Sequence, residues 1–296
     1  MFFQKKIKIV THNGFFHTDD VFSAALLEIV FDRKLTFTRT RDVKLVEEAD
    51  YVFDIGGIHD PIKNRFDHHQ PGGAGKRENG IPYASFGLLW KNFGEQITAS
   101  KQAAIFVEEK LVMPVDALDN GKEIFAPIPG GIEAYLLENV VNSFRPTWKE
   151  SEDEMDECFR KAVVFAKALL VREVKRAKDK LEALLIVEKA YATALDKRVI
   201  VFDRKYPWDE VIKKYPDPLF VVHPILDNWR VYTVRKNGTH FQNRKDFPKA
   251  WAGKRDEELA HITGVPDAVF CHNGLFLAVA KTKQGALRLA QLALQN

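Results

Sequence analysis

The chain has 296 residues, of which 46% are hydrophobic and 29% charged, with 44 Lys and Arg against 41 Asp and Glu. This is the profile of a folded protein of about two domains. It excludes a largely disordered chain, and it is too balanced for a nucleic-acid binder recognised by charge alone, where a pI above ~9 is usual. The only cysteines, Cys158 and Cys271, suit neither a disulfide framework nor a thiolate zinc site. The opening MFFQKKIKIV lacks the apolar stretch of a secretory leader, and no apolar run approaches the ~18–20 residues of a membrane span. The expected compartment is the cytoplasm, with no membrane partner.

Short apolar runs alternate with helical patterns in the first half, which predicts α/β units on a parallel sheet. Ile7–Val10, Leu35–Arg39 and Tyr51–Ile55 read as strands, and Asp20–Phe31, Ser85–Phe93 and Ser100–Leu111 as helices. The helix from Asp20 is apolar on most faces and is expected to be deeply buried. Ser151–Tyr191 is the longest helical pattern, opening on a capping box of Ser151 and Glu154. Its apolar stripe runs through Phe159, Val163, Ala166, Leu170, Val174, Ala177, Leu181 and Leu184. The cations Arg172, Lys175, Arg176, Lys178 and Lys180 read as a solvated face, with a nucleic-acid track as the alternative.

Strands dominate after about Arg198: Arg198–Phe202, Leu219–His223, Trp229–Arg235, Ala268–Cys271 and Leu275–Ala280, with turns at Asn237-Gly238 and Asn273-Gly274. An amphipathic helix, Gln284–Leu294, closes the chain. The expected organisation is an α/β metal-binding catalytic domain (1–147), a long connecting helix (148–195) and a smaller α+β substrate-binding domain (196–296).

Polar clusters interrupt the first half. Thr11-His12-Asn13-Gly14-Phe15-Phe16-His17-Thr18-Asp19-Asp20 follows the first strand, at the carboxyl edge where open α/β sheets bind ligands. Asn13-Gly14 permits a turn folding His12 toward His17 and Asp19, and one of Asp19 and Asp20 reads as a helix N-cap. Asp54 ends the third strand, Asp67-His68-His69 comes shortly after, and Asp116 and Asp119 fall in a segment that Asp-Asn-Gly marks as a turn. Four histidines and several aspartates without cysteine point to a divalent metal such as manganese, zinc or iron, with the carboxylate share favouring manganese over soft thiolate metals. There are more ligands than one ion needs, so two ions are expected. Such a pair can activate water and stabilise displacement at phosphorus.

These motifs resemble the DHH phosphoesterase superfamily, which includes RecJ-type exonucleases, oligoribonucleases and family II inorganic pyrophosphatases. THNGFFHTDDVFSAALL, FDIGGIHDPIKNRFDHHQ, VDALDNG and WAGKRDEELAHITGVPDAVFCHNGLF are similar to the Myg (melanocyte-proliferating-gene) family within it, from Thr11 to Phe276. The resemblance implies a DHH-type parallel-sheet first domain and two divalent ions, Mn2+ before Mg2+, Zn2+ or Fe2+. His12, His17 and Asp19 would be ligands, Asp54 a bridge, His68 a ligand, and Asp119 or Asp116 would complete the second site. His69 would face the phosphate, and Asp67 would orient the histidines. The first motif departs from the common His-x-x-x-Asp-x-Asp by one residue and by His17 in place of an aspartate.

The resemblance implies a substrate cleft between the domains, with Arg255, Lys254 and His272 as candidates, His272 reading equally as a turn residue, and Arg145 approaching it, while Trp148 reads as packing. Lys76 and Arg77, in the Gly72–Arg77 loop just past the triplet, read either as closing over a phosphate or as an ordinary mobile loop. The implied activity is phosphodiester hydrolysis by metal-activated water, as a 3′-to-5′ RNA exonuclease or oligoribonuclease. The rivals are a hydrolase of a small phosphate compound (cyclic dinucleotide, nucleotide or pyrophosphate) and a metal-dependent binding protein without catalysis. The expected partner is RNA or another phosphate-containing substrate, with a homodimer as one assembly.

Overall fold

The computed structural model describes residues 6–31, 35–125, 131, 133–236 and 242–296. The chain divides into two units, Met1–Asp179 and Lys180–Asn296, and the division falls inside one long helix. Among the described residues no helix is long and apolar enough to cross a membrane. The Asn237-Gly238 turn lies outside the described residues.

The first unit is built on five strands: β1 (Ile7–Thr11), β2 (Leu35–Arg39), β3 (Tyr51–Phe53), β4 (His59–Asp60) and β5 (Arg65–Phe66), in the order β2-β1-β3-β5-β4. β1, β2, β3 and β5 run parallel, and β4 closes the edge antiparallel to β5. The carboxyl ends of all four parallel strands therefore lie on one edge. The segments after β1, β3 and β5 begin there with His12, Asp54 and Asp67-His68-His69.

Helix α1 (Thr18–Phe31) is buried continuously from Thr18 to Leu27, as its all-round apolar sequence predicts. α2 (Val43–Glu47) is capped by Asp42, whose carboxylate accepts from the amides of Lys44 and Leu45. α3 (Ser85–Thr98) packs on α1 but starts at Ala84, which offers no capping side chain. Remote carboxylates take over: Asp19 accepts from the amides of Ser85 (3.1 Å) and Phe86 (2.7 Å), and Asp116 from that of Gly87 (3.0 Å). Orphan first-turn N–H groups are thus satisfied, and negative charge sits where the helix dipole favours it.

α4 (Lys101–Val107), a π-helical turn (Glu108–Val112) and α5 (Met113–Asp119) follow one another directly. The segment around Asp116, expected as a turn, is therefore helical up to Asp119, and the turn signal acts only at Asn120 and Gly121, where Gly121 takes φ 67°. Asp116 is spent on holding α3 rather than on a local turn. α6 (Leu137–Asn142) and α7 (Met155–Thr193) complete the unit's helices. Ser151 caps a short 3-10 turn through the amide of Asp153, in place of the expected box with Glu154. Along α7, Phe159, Ala162, Val163, Ala166 and Leu170 are buried. Arg172, Lys175, Arg176 and Lys178 are exposed, as a solvated face requires, with Lys175 paired to Asp179.

The second unit holds β6 (Val199–Val201), β7 (Phe220–Ile225), β8 (Asn228–Thr233), β9 (Ala268–Cys271) and β10 (Leu277–Ala280), in the order β6-β7-β8-β10-β9. Among the described residues of this unit, only β6 and β7 pair in parallel. Its helices are α8 (Asp209–Ile212), α9 (Asp256–Thr263) and α10 (Lys283–Gln295). One face of the sheet packs Phe220 and Val222 against α9 and α10. Val221 on the other face joins Val187, Val211 and Ile212.

Candidate metal centre

Three groups of side chains converge at the carboxyl edge of the first sheet. One potential ligand atom each from His12, His17 and Asp54 lies within 4.8 Å of the others, and the same holds for Asp54, His68 and His69, and for Asp19, His68 and Asp119. Asp54 and His68 are shared between groups. They border a cavity of about 940 Å³, whose walls also include Ile55, Leu111, Pro114, Val115 and Leu118.

Each position follows from local chain geometry. The first loop turns at Gly14, with φ 89°, and is tied from behind by two arginines. Arg39 donates to the Gly14 carbonyl (2.6 Å) and pairs with Asp156 (2.8 Å). Arg145 donates through Nε to the Phe16 carbonyl (2.8 Å). Asp20 Oδ1 accepts from the His17 amide (2.8 Å), and Oδ2 lies 3.1 Å from His12 Nε2. Asp20 thus caps its helix and also faces the cluster, a second role that sequence reasoning missed. His12 Nδ1 is 3.0 Å from the Asn13 carbonyl, which holds the ring so that Nε2 points at Asp20 and at Asp54 Oδ2 (3.2 Å).

Asp54 sits in the left-handed region, φ 57°, a strained conformation for a residue with a side chain. From there its Oδ2 approaches His12, while Oδ1 lies 3.3 Å from His68 Nε2 and 3.3 Å from Ser85 Oγ. His68 Nε2 is also 3.2 Å from Asp119 Oδ2. Asp67 accepts from the amides of Gly57 (2.5 Å), His68 (2.7 Å) and His69 (3.1 Å), and from His69 Nδ1 (2.8 Å). That last contact fixes the His69 ring and leaves Nε2 to the cavity.

The electrostatics are those of a carboxylate-rich pocket. Burial disfavours charge on His12, but Asp20 and Asp54 outweigh it and push the imidazole up to about 10. In His68, burial is likewise overcome by Asp119 and Asp54, to about 11. Burial also acts on Asp54, but His12 and His68 hold its carboxyl below the usual range. Asp19 is driven far up, first by burial and then by repulsion from Asp119, Asp54 and Asp116.

The donor set fits divalent cations. His68 Nε2 is buried and near two carboxylates, yet aligned for a hydrogen bond with neither. Buried polar atoms are rarely left so, and imidazole with carboxylate is a donor mixture suited to manganese, zinc or iron. His12, His17, Asp19, Asp54, His68, His69 and Asp119 are the residues whose ligand atoms converge.

Several expected residues lie elsewhere. Asp116 joins no ligand group: it is fully buried, and its Oδ2 pairs with Arg77 at 2.6 Å. Arg77, expected at the substrate, is committed to Asp116 and to Glu108 (2.5 Å). Arg145, also expected there, is taken up by the Phe16 carbonyl and does not line the cavity. Lys76 is exposed and outside the cavity. Trp148 is 88% exposed rather than packed. In the second unit, the Arg255 guanidinium lies over Phe270 at 4.3 Å, Lys254 pairs with Glu258, and His272 Nδ1 accepts from the Gly274 amide at 2.9 Å. Arg41, which the sequence did not single out, lines the cavity and forms no ion pair among the described residues. Its signal was its place two residues past β2, on the same sheet edge.

A MYG1 protein of Schizosaccharomyces pombe is 30% identical over 320 residues, covering 97% of both chains. A MYG1 protein of Chlamydia pneumoniae is 31% identical over 296 residues, again with 97% of each covered. The Homo sapiens protein named MYG1 exonuclease is 28% identical over 324 residues, covering 97% of this chain and 85% of its own. A family model described as "Uncharacterised protein family (UPF0160)" matches residues 8–294, and with these relatives it establishes that the chain belongs to the MYG1 family.

Proposed function

We propose that this chain is a metal-dependent phosphodiester hydrolase, a 3′-to-5′ RNA exonuclease or oligoribonuclease on the DHH plan, with residues 1–147 catalytic and 196–296 binding substrate. The observation that carries the reading is the convergence of three ligand groups, sharing Asp54 and His68, on one cavity at the carboxyl edge of a parallel sheet. The name of the human relative, MYG1 exonuclease, supports the exonuclease step.

His12, His17 and Asp54 would hold one ion and Asp19, His68 and Asp119 a second, with Mn2+ the preferred metal. Bound there, divalent ions supply the Lewis acidity that makes water nucleophilic at neutral pH and offsets phosphate charge. The chain's own residues do the rest. Asp67 orients His69, whose free Nε2 donates to a phosphate oxygen. Arg41 offers a fixed positive charge at the mouth of the cavity. The apolar wall of Leu111, Pro114, Val115 and Leu118 excludes water from the far side of the substrate.

The test is hydrolysis by the purified full chain in manganese, using 5′- and 3′-labelled RNA and an aryl phosphodiester. Expected are shortening of RNA from its 3′ end, arrest by chelator, and loss of activity in His68→Ala with the fold retained. An absence of hydrolysis across several divalent metals refutes the enzyme, and full activity in His68→Ala removes that residue from the metal shell. A second reading, hydrolysis of a small phosphate compound, draws on the cavity's few cationic side chains beyond the imidazoles, Arg41 and Lys110, the latter paired with Glu173. Cyclic dinucleotides and pyrophosphate in the same assay decide between the two.

A further inference from the structure

The second unit carries a cavity of about 520 Å³ that borders none of Lys254, Arg255 and His272. It opens on the sheet face that carries Val221, away from the face packed on α9 and α10. Strand pairing sets His223 opposite Arg230 and Val221 opposite Tyr232, so all four side chains share that face.

His223 is the notable member. It is 1% exposed, yet it borders the cavity. Its ring stacks on Tyr232 with centroids 5.3 Å apart and planes 15° from parallel. Nδ1 lies 3.2 Å from the Pro224 carbonyl, and Nε2 has no protein partner among the described residues. Burial, with Lys205 and Arg230 nearby, holds the imidazole below its ordinary value and therefore neutral at pH 7. A neutral buried imidazole facing a cavity provides a hydrogen-bonding group with nothing to bond.

The surrounding walls narrow the ligand class. Trp208, with its ring centroid 6.3 Å from that of Tyr232, and Tyr206 make the walls aromatic. Lys205, on the wall, makes no ion pair among the described residues, and Arg230, beside His223 on the same sheet face, donates to the Tyr232 hydroxyl at 3.2 Å. The acids on the rim are already neutralised, Asp209 by Lys213 and Glu210 by Lys180 (2.7 Å). A bare anion has no use for the rings, and an apolar ligand leaves Nε2 and Lys205 unsatisfied. A planar heterocycle carrying a phosphate satisfies both. The volume falls within the roughly 300–1,000 Å³ range of small-molecule sites.

We propose that this cavity is a nucleotide-binding site that stacks a base on Trp208 and Tyr232, bonds its edge to His223, and holds its phosphate with Lys205 at the rim. The site is separate from the metal centre and does not rest on the hydrolase reading.

The test uses the full chain in chelator, so that no turnover occurs. Photolabelling with 8-azidoadenosine 5′-monophosphate is read by peptide mass spectrometry, and AMP binding is measured by calorimetry. Expected is label on the peptides holding Tyr206, Trp208 or Tyr232, competed by AMP and retained in His68→Ala. Trp208→Ala should weaken AMP about tenfold or more, with Trp208→Phe restoring most of it. Lys205→Glu, at an exposed position that leaves the core untouched, should weaken AMP but not adenosine. A 5′-phosphorylated dinucleotide that matches AMP supports an oligonucleotide end as ligand, and one that fails supports a free mononucleotide. Absence of label, label confined to the first unit, or parental AMP binding in both Trp208→Ala and Lys205→Glu overturns the proposal. Equal competition by adenosine overturns the phosphate contact.

Discussion

Replacing Gly87 by alanine should destabilise the first unit, although the same change in most helices stabilises. Gly87 occupies the first turn of α3, where alanine normally gains up to about 1 kcal/mol over glycine. Here a Cβ would stand 1.8 Å from Asp116 Oδ2, 2.7 Å from its Cγ and 2.8 Å from Arg77 Nη2. None of these distances is tolerable, and the obstacle is a buried ion pair rather than a flexible chain end. Asp116 is fully buried, and the Arg77 side chain is 9% exposed. To admit the methyl group, Asp116 must leave Arg77 or the Gly87 amide. Breaking a buried pair costs roughly 3–5 kcal/mol, because a charge stays behind uncompensated. Set against the helix gain, a net loss of about 2–4 kcal/mol follows.

The effect should also reach the metal centre. Asp119 lies three residues after Asp116 on α5, so an Asp116 that shifts carries Asp119 away from His68. Urea unfolding followed by far-UV circular dichroism, with manganese affinity measured in parallel, checks both effects. Gly87→Ala that is as stable as the parent, or more so, refutes the reasoning, since it would mean that Asp116 is not wedged against α3. Asp116→Asn is the companion, expected to fall in the same range because it strips Arg77 of its deepest partner.

Arg41→Ala should raise KM about 10–100-fold with kcat largely kept, the pattern of a lost charged contact made in ground and transition states alike; an unchanged KM removes Arg41 from substrate binding. In metal-free protein, His12 and His68, raised to about 10 and 11, are protonated at pH 7. Metal entry must displace those protons, together with any held by the raised Asp19 carboxyl, so calorimetry in buffers of different ionisation heat should detect release of about two protons per chain or more, and release near zero refutes the assignment. Because both folded values lie above the unfolded imidazole value near 6.5, their contribution to metal-free stability is complete below about pH 6.5 and lost as pH rises through 10 to 11. Denaturation of chelated protein between pH 6 and 11 should follow that decline, and a flat profile refutes it.

The clustering of the site was legible because its residues follow apolar runs. His12 comes directly after β1 and Asp54 directly after β3, and a polar residue at the end of a buried strand is a readable signal. β5 has only two residues, too few for any periodicity, so the sequence could not place Asp67-His68-His69 on the same edge. Asp-Asn-Gly dominated the reading of α5, yet it ends that helix rather than replacing it. Asp20 was hidden because capping its own helix and facing His12 require the same residue type. Arg77 and Arg145 read as substrate cations since sequence displays a charge without its partner. Only the fold supplies Asp116 for one and the Phe16 carbonyl for the other.

Two costs meet at Asp54, and together they give a further expectation for metal loading. A non-glycine residue held at φ 57° costs on the order of 1–3 kcal/mol and persists only where its surroundings enforce it. Around it, buried Asp19 is repelled by Asp54, Asp116 and Asp119. Neither cost helps the fold by itself; positive charge among the carboxylates relieves the repulsion, and side-chain contacts to that charge hold Asp54 in its strained backbone. Ions that bind only the folded state stabilise it by about 2.7 kcal/mol at a hundredfold excess over Kd. Manganese should therefore raise the unfolding transition of Met1–Asp179 by several degrees and leave that of Lys180–Asn296 in place, since its ligand atoms all come from the first unit. Differential scanning calorimetry with and without manganese, repeated on His68→Ala, reads this directly. A shift of equal size in the His68→Ala protein, or none in the parent, would place the stabilising ions somewhere other than this cluster.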